Sequence, residues 1–292
     1  MTTLLNFIVN EDLAHNDRAL NYGDGCFTTI RCYKGQAELL GLHAARLYND
    51  AKRLSMFCET EGLTANDFRL LVSHGAQNNF SKTDHDYYVT KILISRGNGN
   101  RGYAPDDPSV PTIIISHHHL ADTKRSPMHI GISDVSLSQQ RLLAGIKHLN
   151  RLEQVLAKLH LKKQRGWDDA LMLDEQKRVI ELTAANVFFK VGDVWYTPEL
   201  TKCGVSGVMR TCIFEYLDEQ NIAYKVGDYH LSFLATASAA FCCNALSHLR
   251  IIQSLEYLEN IIEFDTAESE KLSIQIDQFI SLDLEEQCKE NT

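Results

Sequence analysis

Lys147 stands in the stretch AGIKHLNRLEQVLAK, three residues before Asn150, which the sequence marks as the N-cap of a helix. A lysine in such a place is usually solvated. Held near a helix N-terminus and away from water, its amine has a lowered pKa, and a neutral amine is what Schiff-base chemistry needs. A second candidate is the loop GNGNRG at 97–102, a literal G-x-G-x-x-G after the apolar run VTKILIS (89–95). A dinucleotide fingerprint must turn into a helix whose N-terminus meets the pyrophosphate. Here the chain runs on as YAPDDPSVP (103–111), and its three prolines cannot start that helix. Two readings remain open: a flexible surface loop, or, with Arg96 and Arg101 beside the glycines, a loop that binds an anion. Glu181, taken by itself, is a solvated acid at a strand end.

These residues need elements to hold them. LLNFIV (4–9) and FTTIRCY (27–33) read as strands, and HAARLYNDAKRLSMF (43–57) as a helix with apolar residues at 47, 51, 54 and 57. A second helix is expected over 64–78, then strands near 87–95 and 112–117. The polar stretch HHLADTKRSP (118–127) reads as a linker between an N-terminal α/β domain (1–117) and a C-terminal domain (128–292) that carries Lys147. The second domain opens with a strand, HIGISDV (129–135). A helix follows at 151–165, with Asn150 and Glu153 at capping-box spacing and Leu152, Leu156 and Leu159 as its buried stripe. DALML (169–173), DEQK and RVIEL (178–182) predict a hairpin, and NVFFKV with DVWYT predicts another. A helix at 206–220, strand-like runs at 237–246 and 247–252, and a helix at 272–282 complete an α+β fold with much antiparallel sheet.

Composition narrows the function. The net charge of −9 and the absence of a basic stripe argue against nucleic acid. No apolar run is long enough to span a bilayer, and MTTLLNFIVNEDLA lacks the basic start of a signal peptide, so a cytoplasmic protein is expected. The eight cysteines (26, 32, 58, 203, 212, 242, 243 and 288) show no C-x-x-C pairing and read as reduced core residues. His117, His118 and His119 alternate faces if extended, so they converge on no metal, and a polar linker is the better reading.

GIKHLNRLEQVLAK, NYGDGCFTTIR (21–31), SRGNGNRGY (95–103), VIELTAANVFF (179–189) and FCCNAL (241–246) together resemble the 4-amino-4-deoxychorismate lyases. These belong to the fold-type IV pyridoxal-phosphate group, with the branched-chain and D-amino-acid aminotransferases. The motifs fall in the family's order from about residue 18 to 246. The resemblance implies a two-domain fold-type IV enzyme, usually a homodimer, that makes 4-aminobenzoate and pyruvate from aminodeoxychorismate on the way to folate. It implies that Lys147 carries pyridoxal 5'-phosphate as a Schiff base and that Glu181 pairs with the pyridine nitrogen, strengthening the ring as an electron sink. Arg46 and Asn244 would bind the phosphate. So would the backbone N–H groups of Val205 and Ser206, where CGVSGVMR (203–210) enters a helix. Arg101 and Tyr103 would clamp a substrate carboxylate, with Phe27 also at the substrate, and Thr28 would guide a proton.

Two departures separate the chain from the transaminases it resembles. Thr28 stands where they carry an acid, and HLNRLEQ has no tyrosine for the cofactor's phenolate oxygen. A transaminase of the same fold and a non-catalytic pyridoxal-phosphate carrier are the alternatives.

Overall fold

In Gly25–Tyr33, every second side chain is buried: Cys26, Thr28, Ile30 and Cys32. That alternation makes the segment a strand with one face on a core. The computed structural model describes residues 14–57, 64–81, 83–106, 109–120, 126–164, 166–258 and 260–290. The strand expected at 4–9, Cys58 and the side chain of Cys288 lie outside them. The described chain falls into two units: one of residues 1–121, 147–150 and 282–292, the other of 122–146 and 151–281. The expected division was contiguous and put Lys147 in the C-terminal domain. Instead the short segment Lys147–Asn150 belongs with the first unit.

The first unit holds a helix α1 (Arg18–Tyr22) and an antiparallel sheet of β1 (Gly25–Tyr33), β2 (Gln36–Ala37), β3 (Tyr87–Ser95) and β4 (Thr112–His119), ordered β2-β1-β3-β4. His118 and His119 close β4, so the expected linker begins inside a strand. Residues 121–125 of that linker lie outside the described ones. Two helices pack on this sheet, α2 (Leu40–Arg53) and α3 (Ala65–Phe80). The helix expected over 43–57 is displaced. It starts after Leu39 and stops at Arg53, because Leu39 and Ser55 both take left-handed backbone angles, φ 52° and 51°.

The second unit is built on a sheet ordered β10-β9-β8-β11-β12-β5-β6-β7, with β13 on β12. Its strands are β5 (Met128–Ile132), β6 (Asp169–Leu173), β7 (Val179–Leu182), β8 (Asn186–Val191), β9 (Val194–Pro198), β10 (Tyr224–Gly227), β11 (Ala239–Asn244), β12 (His248–Tyr257) and β13 (Asn260–Glu263). Both expected hairpins form, β6 with β7 and β8 with β9. The pairs β9–β10, β5–β12 and β5–β6 are parallel. The short strands β2, β10 and β13, α1 and a 3-10 helix (Leu231–Thr236) were not anticipated. Central strands β8 and β11 are buried on both faces, which is why NVFF and AAFCC read as unbroken apolar runs. One face packs Val187, Phe189, Ala240 and Cys242 against Met128, Ile130 and Leu255. On the other, Phe188 stacks on Phe241 at 4.8 Å and meets Phe214 of α5 (Val208–Glu219). A final helix, α6, runs Ala267–Glu290, longer than the 272–282 expected.

The helix after Lys147 departs furthest from expectation. α4 spans Leu152–Leu161, and its N-cap is Arg151, with no side-chain cap bond. The capping box does not form because both partners are engaged elsewhere. Asn150 donates to the Gly23 carbonyl at 3.1 Å, and Glu153 accepts the Ser138 N–H at 2.9 Å. Nor is the leucine stripe buried: Leu152, Leu156 and Leu159 are 74%, 52% and 49% exposed. No helix among the described residues is long and apolar enough to cross a membrane.

Phe188, fully buried between a stacked ring and an edge-on ring, anchors the second unit. Truncation to alanine should cost about 3–5 kcal/mol in a urea unfolding series. A loss below about 1 kcal/mol would mean the site collapses freely and the rings carry little of the packing.

Candidate active site

The turn Gly23-Asp24-Gly25 is built around the lysine segment. Residues 147–149 run antiparallel along the edge of β1. The Phe27 N–H donates to the Lys147 carbonyl at 3.0 Å, and the Leu149 N–H donates to the Gly25 carbonyl at 3.0 Å. The lysine's own N–H has no strand partner there. It donates to Oδ2 of Asp50, a buried acid on α2, at 3.0 Å. Both glycines are required by this approach. A Cβ on Gly25 would stand 2.7 Å from Leu149, and one on Gly23, whose φ is 63°, would stand 2.4 Å from the Asn150 side chain. The amine of Lys147 ends 4.8 Å above the centre of the Phe27 ring, and Lys91 lies 4.9 Å from the same ring.

Below the strand lies a buried polar cluster. Thr28 is fully buried, with its hydroxyl 2.6 Å from Nδ1 of His43, and Arg46 donates to the same hydroxyl. His43, Arg46 and Asp50 share one face of α2 by their spacing of three and four residues. Burial, reinforced by the charges of Arg46 and Lys147, holds His43 well below the ordinary histidine range, so its imidazole is neutral. Burial and then the Asp50 carboxylate push the Cys26 thiol up to about 12, which leaves it inert. His43 and Asp50 were missed in the sequence. The signal was present, as two polar residues on the helical face that carries Leu47 and Ala51.

The glycine loop is braced. Arg96 is not available to an anion: it donates to both oxygens of Asp24 and to the carbonyls of Leu54 and Ser55. Gly97 has φ 95°, and a Cβ there would collide with the Val110 carbonyl at 1.9 Å. Arg101 and Tyr103 are exposed, Tyr103 by 87%, its ring edge-on to Tyr22 at 5.7 Å.

The second unit assembles the other candidates. Glu181 on β7 is 4% exposed, not the solvated acid of a bare reading. Its Oε2 accepts the Val205 N–H at 2.9 Å, and Gln154 of α4 reaches its Oε1 at 3.5 Å. The Oε1 of Gln154 is buried with no hydrogen-bond partner among the described residues. The expectation for Val205 and Ser206 is corrected. Their N–H groups are spent inside the protein, on Glu181 and on the Gly145 carbonyl at 2.9 Å. The loop there bridges to Gly145, so α5 begins later, with Gly207 rather than Ser206 as its N-cap. The donors left without an intrahelical acceptor are then the N–H groups of Val208, Met209 and Arg210. Asn186 holds the cap in place, accepting the Gly207 N–H at 3.2 Å and donating to the Val205 carbonyl at 2.8 Å. Asn244 is largely engaged in its own turn. It donates to the Ala184 carbonyl at 3.2 Å and accepts from Leu246 and Ser247. The candidates thus form two groups: Phe27, Thr28, Arg46, Arg101, Tyr103 and Lys147 in the first unit, and Glu181, Val205, Ser206 and Asn244 in the second.

Comparison with known proteins gives these groups a lineage. The pattern of the amino-transferase class IV family matches residues 25–255. An aminodeoxychorismate lyase of Vibrio harveyi is 36% identical over 254 residues, 85% of this chain and 89% of that protein. A putative branched-chain-amino-acid aminotransferase of Methanocaldococcus jannaschii is 30% identical over 230 residues, 77% of this chain and 76% of that one. The crystal structure of a 4-amino-4-deoxychorismate lyase from Pseudomonas aeruginosa matches with a TM-score of 0.82 at 31% identity, covering 92% of this chain and 96% of that chain. A lysine strung on a strand edge and a buried strand acid thus sit within a shared sequence and fold, and the chain belongs to the amino-transferase class IV family.

Proposed function

We propose that this chain is a pyridoxal-phosphate-dependent lyase that converts 4-amino-4-deoxychorismate to 4-aminobenzoate and pyruvate, a step toward folate. The observation that carries the reading is the fixation of Lys147. Its N–H is bonded to Asp50 and its carbonyl to Phe27, so the amine has a defined origin in a half-buried place. A lysine that must meet one aldehyde carbon repeatedly needs such a fixed backbone.

The residues present fit the cofactor. Glu181 would supply a buried carboxylate for the pyridine nitrogen, and beside it Gln154 keeps an acceptor oxygen that has no partner among the described residues. In the second unit Asn244 and the first-turn N–H groups of α5 at Val208 and Met209 would serve the phosphate, and in the first unit Arg46 is the candidate partner for an anion. When bound, pyridoxal phosphate withdraws electrons from the carbon that bears the substrate nitrogen. The freed Lys147 amine takes the proton from that ring carbon. Glu181 stabilises a protonated ring nitrogen. Arg101 and Tyr103 orient a substrate carboxylate, and Phe27 walls the same side as the lysine. Departure of the enolpyruvyl group, which gains a proton equivalent to the one Lys147 removes and so leaves as pyruvate, restores an aromatic ring and makes the reaction strongly downhill. Thr28 acts from behind the strand, its hydroxyl bonded to Arg46 and to the neutral His43, and any proton it guides passes through the His43 imidazole.

We also propose a homodimer in the cytoplasm. The exposed row Leu152, Val155, Leu156 and Leu159 runs along one face of α4, with Leu142 79% exposed. A second copy covers this row. Replacing Leu152 and Leu156 together by glutamate should convert a dimer to a monomer in sedimentation. A dimer that persists at micromolar concentration would move the interface elsewhere.

Borohydride reduction of the loaded protein should fix one pyridoxyl group on Lys147, read as a modified peptide. Lys147→Ala should lose both that label and the visible absorption band, with turnover of aminodeoxychorismate reduced by at least about 10³-fold. An intact band in the variant, or rapid amino exchange with a keto acid in place of pyruvate release, would sink the assignment.

A further inference from the structure

Arg18 is 5% exposed, yet it belongs to no feature of the reaction described so far. Each of the three nitrogens of its guanidinium donates a bond within the first unit. Nε donates to Oδ2 of Asp24 at 2.8 Å, Nη1 to the Gly102 carbonyl at 3.2 Å and Nη2 to the Tyr103 carbonyl at 2.7 Å. Its backbone N–H is bonded to the Gly97 carbonyl at 2.9 Å, and the guanidinium lies 4.8 Å over the Tyr22 ring. The Tyr22 hydroxyl in turn accepts the Gly102 N–H at 3.1 Å. One buried arginine therefore grips both ends of the glycine loop.

Burying a guanidinium is costly unless every donor is used and a counter-charge is present. Each of the three nitrogens of Arg18 donates one bond, and Asp24 supplies the counter-charge. Asp24 is shared by Arg18 and by Arg96, whose Nε lies 2.8 Å from the same oxygen. The two carbonyls that receive Arg18 belong to the residues directly after Arg101. Their position fixes the direction in which the chain leaves Arg101 and presents the exposed Tyr103. A loop with no task for its geometry has no need of this brace.

We propose that Arg18 is the positioning residue of the carboxylate clamp: with Asp24 as its counter-ion it holds the Gly102 and Tyr103 carbonyls, so that Arg101 and Tyr103 meet a substrate carboxylate in one fixed arrangement. This rests on the lyase reading for the identity of the substrate, a cyclohexadiene carrying carboxylates, though not for the brace itself. A planar fork is essential. Arg18→Lys keeps the charge beside Asp24, but one ammonium cannot reach the acid and both carbonyls together.

The test uses the full-length, cofactor-loaded enzyme. In Arg18→Lys, KM for aminodeoxychorismate should rise roughly tenfold or more while kcat at saturation changes less than about threefold, because uniform binding is lost rather than chemistry. The visible band of the cofactor and its pH profile should not move. Trypsin should cut the Arg101–Gly102 bond roughly tenfold faster, since local opening is easier without the two carbonyl bonds. Arg101→Gln alone should raise KM, and adding Arg18→Lys to it should raise KM little further, the non-additivity expected if Arg18 acts through Arg101. An unchanged KM in Arg18→Lys, or effects of the two changes that simply multiply, overturns the proposal. Should Arg18→Lys fail to fold, Tyr22→Phe, which removes only the acceptor of the Gly102 N–H, decides in its place. Faster cleavage and a raised KM support the brace, and neither change overturns it. A wild-type protein that leaves aminodeoxychorismate untouched would sink the lyase reading, and the cleavage rates would still decide whether Arg18 holds the loop.

Discussion

The edge of a β-strand is a row of unsatisfied N–H and C=O groups, and this chain completes one such edge with the segment that carries its key lysine. Between Gly25 and Phe27, β1 receives Lys147–Leu149 as though it were a short added strand. The arrangement fixes which way each side chain points, because strand side chains alternate: a slip of one residue would exchange the lysine with a neighbour. It also explains why a segment so far along the chain belongs with the first unit. The remaining N–H, on Lys147 itself, would be orphaned by the end of the strand pairing. The buried carboxylate of Asp50 takes it, and a buried donor without an acceptor costs about 1–3 kcal/mol.

That carboxylate brings its own cost, and the layer beneath β1 is arranged to offset it. α2 sets His43, Arg46 and Asp50 on its buried face, where an apolar helix would need only leucine and alanine. Each of the three is engaged. Arg46 and His43 meet at the Thr28 hydroxyl, and Asp50 holds the lysine segment. His43 stays uncharged because burial disfavours its charged form, and the positive charges of Arg46 and Lys147 add to that. A buried polar layer bonded together in this way favours one packing of helix on strand, and through Asp50 that packing is transmitted to the lysine.

The sequence carried the sheet well, for physical reasons. Runs such as FTTIRCY, VTKILIS and NVFFKV declare themselves through alternation or continuous burial, and they form the strands expected of them. It misled where a local signal competed with a distant partner. Asn150 and Glu153 have the spacing of a capping box, but Gly23 and Ser138, far away in sequence, claim them instead. The leucines of α4 have the period of a buried stripe, yet a periodic apolar row says only that something covers it, not that this chain does. At α5 a serine preceded by glycine and valine looked like the helix start, while the backbone of the loop turned back to Gly145 and delayed the helix to Gly207. Arg18 was invisible for the same reason: nothing local separates an arginine that grips a loop across the sheet from one in water.

The tripeptide Gly23-Asp24-Gly25 gathers these threads. Its glycines admit Leu149 and Asn150, and its acid, held below the usual carboxylate range by Arg96 and Arg18 although burial opposes this, anchors the glycine loop. Lysine segment and loop are thus tied to one turn within the same unit. Three residues further along β1, Thr28 occupies the place where the transaminases that the sequence resembles carry an acid. Its side chain faces α2, directly against Arg46 and His43. A carboxylate there would form a buried ion pair with Arg46 and would draw His43 toward its protonated form. Threonine keeps both hydrogen bonds and adds no charge. A single change of residue type thus resets the electrostatics of the layer at Thr28 while the bonds that hold Lys147 come from other residues.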